Sequence, residues 1–259
     1  MWKVSSSHTV NASRYAIQRN DIEAVGMHDK NTRLYYWYPS ENWPPKSVQE
    51  PGEIRTDGRL SVSCTQTSRS ANDQRKLVSR WCDTLPNLRG VRHLWLCSRV
   101  PQRLFDAACQ VPGLESLYIK WGGIKKLNAL ENASELRYLH IGSSTGVESI
   151  EPLESMTSLI WLGIESFTRI RCLDPLEKLI GLEGLTVEGS IWTTQHVDTL
   201  APIGKLLNLR YLAITNLRSM DQTLSTLFTL RQLEVFHAAK WWAANEIDEL
   251  QRLNPKLIA

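Results

Sequence analysis

The sequence has few cysteines, and their arrangement builds no framework. The five, Cys64, Cys82, Cys97, Cys109 and Cys172, are odd in number and never fall in C-x-x-C spacing, which argues against both a disulfide network and a structural zinc site. Long apolar runs are missing too. No stretch approaches the roughly 18 uninterrupted apolar residues of a membrane span, and the opening Met1-Trp2-Lys3-Val4 lacks the apolar run of a secretion signal. A protein of the reducing cytoplasm, without a membrane partner, is the expectation. Nor is there a surplus of charge where most of the chain lies. Residues 1–84 carry 12 basic and 9 acidic side chains, and the remainder carries 18 of each. The clustered Lys and Arg of a nucleic-acid footprint are therefore not expected. Neither a phosphate-cradling G-x-x-x-x-G-K-[ST] nor a zinc-protease H-E-x-x-H occurs, and His8, His28, His93, His140, His196 and His237 show no metal-ligand spacing. No catalytic residue, metal or cofactor is predicted.

Internal periodicity is what the chain does have. The pattern apolar-x-x-apolar-x-apolar begins at Val91 (Val91, Leu94, Leu96) and returns from Leu114, Leu136, Leu159, Leu182, Leu209 and Leu233. The intervals between these starts are 23, 22, 23, 23, 27 and 24 residues. A second apolar group follows each strand at spacing three, as in Ile124, Leu127, Leu130 and in Val147, Ile150, Leu153, which suits a short helical or 3-10 return. One such unit cannot bury its own leucines. A stack can, so the periodicity predicts a solenoid of about seven rungs over residues 85–259. Its α/β architecture has a curved parallel sheet on the concave side and short helices or 3-10 turns on the convex side.

Segments such as Ile150-Glu-Pro-Leu153-Glu-Ser-Met-Thr-Ser-Leu159-Ile-Trp-Leu162-Gly-Ile164 resemble the short leucine-rich repeats of bacterial internalins and related cytoplasmic proteins. The resemblance covers about Leu85 to Pro255 and implies the solenoid fold. One departure stands out. The family's Asn after the strand is replaced by Arg99, Gly122, Ser144, Phe167, Ser190 and Leu217, so the turns must satisfy their backbone groups by other means. Cys172-Leu173-Asp174 has the lettering of the catalytic Cys-x-Asp in repeat-bearing bacterial ubiquitin ligases, but it falls inside a repeat.

A solenoid exposes apolar ends unless it is capped. Residues 1–84 are read as a β-rich N-terminal cap or extension, with a separate functional domain as the alternative. Leu34–Tyr38 is predicted as a strand. Glu53–Cys64 is predicted as a hairpin turning at Asp57-Gly58, and about 71–82 as a helix with Leu77, Val78 and Trp81 on its apolar face. A closing helix is predicted over Glu246–Leu253, stopped by Pro255.

Strand alternation sends the residues between the repeat leucines to the concave face. Trp95, Tyr118, Tyr138 and Trp161, with His93, His140 and Trp121, concentrate aromatic surface on the first four rungs, and Tyr211 continues it. This composition dominates protein-binding hot spots, although aromatics also stabilise a half-exposed sheet by pairing across strands. Glu165 and Glu188 add an acidic rim, which points to a partner with an apolar knob and a basic neighbour. Trp192, in the long fifth interval, either extends this interface or plugs its own insertion. Trp241-Trp242 is expected to cover the last rung. Arg92, Glu115, Arg137, Ile160, Glu183, Arg210 and Glu234 alternate in charge except at Ile160 and read as a structural ladder. Triads of Cys97 with His93, or His140 with Glu165, are conceivable but are outweighed by packing roles.

The predicted function is non-catalytic binding of a protein partner. Resemblance to the repeat-type immunity proteins of polymorphic toxin systems implies a cytoplasmic toxin inhibitor whose partner is a toxin domain. Resemblance to phosphatase-regulating repeat proteins implies an adaptor or regulatory subunit.

Overall fold

A computed structural model describes residues 45–55, 58–190, 192–239 and 241–258, and the predicted strand Leu34–Tyr38 lies outside them. Twelve strands occur in it: β1 Arg59–Val62, β2 His93–Leu96, β3 Val100–Pro101, β4 Ser116–Ile119, β5 Gly122–Gly123, β6 Tyr138–Ile141, β7 Trp161–Glu165, β8 Gly184–Glu188, β9 Gln195–Val197, β10 Tyr211–Ile214, β11 Leu217–Ser219 and β12 Val235–Ala238. Eight of them form one parallel sheet in the order β1-β2-β4-β6-β7-β8-β10-β12. The register sets each repeat leucine beside its counterpart: Leu94, Leu117, Leu139, Leu162, Leu185, Leu212 and Phe236 make one continuous row. Each member of that row is fully buried. This is how a chain whose single rungs are too thin to fold alone acquires a core.

Among the described residues the hairpin predicted around Asp57-Gly58 does not form. β1 pairs in parallel with β2, from Arg59 opposite His93 to Val62 opposite Leu96. The alternation of Leu60, Val62 and Cys64 toward the core is as the sequence indicates, but it serves a rung of the solenoid. The return path is helix α1, Ala71–Thr84, over the predicted helical span. Ser70 Oγ caps its first turn by accepting the Asp73 amide at 3.2 Å. Its apolar face, Leu77, Val78 and Trp81, is buried, and the Trp81 indole donates to the Gln49 carbonyl at 2.7 Å. Beyond β1 the sheet edge is occupied by Val48, which bridges Val62 and bonds Ser61 and Ser63 through its amide and carbonyl. The hydrophobic core then runs without interruption from Leu60 to Leu257.

On the convex side, helix α2, Gln102–Ala108, is followed by 3-10 turns at 128–132, 151–155, 174–178, 203–205 and 225–229. The missing Asn ladder is replaced by main-chain bonds between consecutive rungs, Ser144 N to Glu165 O, Ser166 N to Glu188 O and Gly189 N to Thr215 O, at 2.8–3.3 Å. In the fifth interval the short parallel pair β9–β11 does the same work. The closing helix α3, Ala244–Leu253, buries Leu250, and Trp242 joins the core beneath the last rung. Ile258 then bridges Val235, so this sheet edge is also covered by a single pairing residue. No helix among the described residues is long and apolar enough to cross a membrane.

Candidate functional site: the concave sheet face

The rings predicted for the concave face gather into two rows. In the first, Trp95 packs on Tyr118 with ring centroids 3.8 Å apart, and Tyr118 stacks on His140 at 4.5 Å with the planes 9° from parallel. In the second, Trp161 stacks on Tyr211 at 4.9 Å, and Tyr211 meets His237 at 5.8 Å. Strand neighbours explain both. Trp95, Tyr118 and His140 occupy equivalent positions on β2, β4 and β6. Trp161 and Tyr211 stand on β7 and β10 with Gly184 of β8 between them. A Cβ on Gly184 would collide with the six-membered ring of Trp161, so the indole reaches Tyr211 across the glycine. Gly163 plays the same part for His140, because a Cβ there would lie 2.5 Å from Nδ1.

The rings are covered more than the sequence predicts. Tyr138, Trp161 and Tyr211 are only 8%, 5% and 5% exposed, whereas Trp95, Tyr118 and His140 are half-buried. The face is therefore not an open row of protruding aromatics. Burial holds the His140 imidazole neutral, with its pKa lowered to about 4, and raises the Tyr118 phenol to about 12, with the Glu165 charge adding to the effect.

Glu165 and Glu188 face each other across β7 and β8. Ser143 donates its hydroxyl to Glu165 at 2.9 Å, and Thr215 supplies hydroxyl and main-chain hydrogen bonds to Glu188. Desolvation raises both carboxyls. For Glu188 the value reaches about 7, with the neighbouring Glu165 charge contributing after burial. Sequence reading singled out the two glutamates but not the hydroxyls that hold them. The only signal for Ser143 was its place just past β6, where its backbone takes the left-handed φ of 31°.

The remaining predicted residues lie past the strand ends. Trp121 follows β4, is 38% exposed, and donates its indole N–H to Gln66 at 2.9 Å beneath Lys120. Trp192 is 88% exposed, which rules out its plugging the insertion. Trp241 is half exposed, with Arg218 over its ring. Just before the strands the charge ladder forms in two pieces. Arg92 pairs with Glu115, and Arg210 makes two 2.9 Å bonds to Glu234 and reaches Glu183 at 4.0 Å. Ile160 separates the pieces, and Arg137 has no ion pair among the described residues.

The pairing of Cys97 with His93 is not set up for attack. His93 opens β2 and Cys97 follows its end, four positions on and about 13 Å away by strand geometry. The Cys97 thiol donates to the Val62 carbonyl at 3.2 Å. Gly142-Ser143-Ser144-Thr145-Gly146 carries the G-x-S-x-G lettering of a hydrolase nucleophile turn. Ser144 is fully buried there, donates to the Gly142 carbonyl at 3.0 Å, and is followed by a turn instead of a helix. Among the described residues no three His, Cys, Asp or Glu side chains converge as metal ligands.

No protein-family model matches the chain, and no curated protein matches it in sequence. Its fold is similar to that of internalin C2 from Listeria monocytogenes, with 20% identity and a TM-score of 0.53 over 70% of this chain and 80% of that one. A leucine-rich-repeat protein from Leptospira interrogans is similar at 13% identity and a TM-score of 0.44, over 68% of this chain and 56% of that one.

Proposed function

We propose that this leucine-rich-repeat solenoid is a non-catalytic binding module that docks a protein partner on its concave face. One observation carries the reading: the chain devotes a whole sheet face to rings, and the packing of His140 and Trp161 among them depends on Gly163 and Gly184. Rigid aromatics with few rotatable bonds contribute contact area at small entropic cost, which is why they dominate interface hot spots. The finer form of the reading is occlusion of a toxin domain, in line with the immunity-protein resemblance; rescue of cells on co-expression with a toxin encoded beside this chain is its expected result.

The binding face is tested by blocking it without unpacking it. Thr186 is half-buried in the middle of the concave face beside Gly163 and Ala213. Thr186→Arg places a bulky cation there, and Glu154→Arg places one on an exposed convex turn. With equal melting temperatures, the concave variant is expected to lose a partner that wild type and the convex variant both capture. Equal capture by all three would overturn the assignment.

A further inference from the structure

The long fifth interval spends its extra residues on an indole that faces water. Trp192 is 88% exposed in the loop between β8 and β9, and a ring left in solvent contributes nothing to the core. Yet the loop is pinned. Ser190 and Thr193 close it through their main-chain groups, and the Asn216 side chain clasps it, donating to the Ser190 carbonyl and accepting the Thr194 hydroxyl at 3.0 Å. A second open indole, Trp241, is 43% exposed and donates its N–H to the Leu217 carbonyl at 3.1 Å. Both tryptophan-bearing segments are thus bonded to the two residues that lead into Arg218. On the β9–β11 pair, Gln195, Val197, Leu217 and Ser219 are buried, while His196 stands opposite Arg218 with both exposed. The Arg218 guanidinium lies over the Trp241 ring, 4.8 Å from its centroid, and has no carboxylate partner among the described residues. Nearby carboxylates are engaged elsewhere. Asp198 pairs with Arg171, Glu148 pairs with Arg169, and Asp221 accepts the Thr199 hydroxyl.

We propose that the rim carrying Trp192, Arg218 and Trp241 is a second docking surface, and that it receives a protein segment in which an aspartate or glutamate stands next to an apolar residue. The carboxylate bonds Arg218 and the apolar side chain covers Trp192. A guanidinium over a ring keeps its N–H donors, which lie along its own plane, so its fork can take both oxygens of a carboxylate. Because Arg218 already lies over Trp241 and Asn216 pins the Trp192 loop, little ordering is left to be done on binding. Exposed tryptophan beside arginine is also the composition of interface hot spots. A nucleic acid fits less well. Arg218 is the one Arg or Lys on the β9–β11 pair, and residues 85–259 carry as many acidic as basic side chains, whereas a phosphate backbone calls for several clustered cations. This rim lies past the ends of the concave strands, so the inference stands independently of concave docking.

The test is selection of a random dodecapeptide display library on the full chain, followed by affinity measurements on the enriched peptides. Wild type is compared with Trp192→Ala, Arg218→Gln and the concave Thr186→Arg, with thermal melting to verify that all are folded. A mixed-sequence single-stranded oligonucleotide is titrated alongside, and sedimentation of wild type and Trp192→Ala reports self-association. The expected peptides carry Asp or Glu beside an apolar residue and bind wild type and Thr186→Arg alike. They lose about tenfold or more in affinity on Trp192→Ala and on Arg218→Gln, and added salt weakens their binding to wild type more than to Arg218→Gln. Peptides without an acidic residue, or indifferent to either rim substitution, would overturn the proposal. Peptides blocked by Thr186→Arg and indifferent to Trp192→Ala would do so while supporting the concave face. An empty selection, oligonucleotide binding that depends on Trp192 and Arg218, or self-association that Trp192→Ala abolishes would overturn it as well.

Discussion

Two glycines decide how the aromatic side chains lie. The indole of Trp161 can reach Tyr211 only because Gly184 presents no Cβ, and His140 leans over Gly163 for the same reason. Gly184→Ala is expected to force the ring off its site, destabilising the fold by about 1–3 kcal/mol and changing the near-ultraviolet dichroism of tryptophan. An unchanged spectrum with wild-type stability would contradict the packing described. Ionisation adds an opposed pair of effects. The Glu188 carboxyl titrates near 7 when folded against an ordinary value of 4.5, so its contribution to stability is present below 4.5 and is lost as pH rises to about 7. The imidazole of His140 does the reverse: its contribution is complete above about 6.5 and is lost as pH falls toward 4. In Glu188→Gln the first loss is absent, so the variant's stability relative to wild type is expected to climb between pH 4.5 and 7 in urea titrations. A difference independent of pH would count against the buried carboxyl. At this scale the sequence told which residues face the concave side, because alternation in a strand is strict. It did not tell that Tyr138, Trp161 and Tyr211 would be covered, because the direction a ring takes along the sheet depends on the neighbouring strand's side chain.

At the scale of elements, the repeat leucines announced β2, β4, β6, β7, β8, β10 and β12, and apolar groups at spacing three announced the 3-10 turns. β1 escaped that periodicity because its return path is the long helix α1. Arg59 precedes its partner His93 by 34 residues, whereas the other units repeat every 22 to 27. With no matching interval to guide it, Asp57-Gly58 reads as a hairpin turn, and only the parallel register with β2 reveals an additional rung. The leucine row makes the central strands the least replaceable. Leu139 is wholly buried on β6, between Leu117 and Leu162. Leu139→Asp places an unpaired carboxylate in that row and is expected to cost more than about 4 kcal/mol, read as loss of the cooperative thermal transition. A variant that melts like wild type would refute this register.

For the molecule as a whole, a continuous core capped at both edges produces a ribbon with two unlike faces. The convex face is made of turns joined by exposed polar side chains. Its counterpart is a sheet of stacked rings with Glu165 and Glu188 side by side, and the functional proposal attaches to this asymmetry. A photo-crosslinking amino acid inserted in place of Thr186 on the concave face, and separately in place of Glu154 on the convex side, reports which face meets a partner in the cells that make the protein. The account predicts a discrete crosslinked protein from position 186 and none from position 154. Crosslinking from 154 alone, or from neither position, would contradict it.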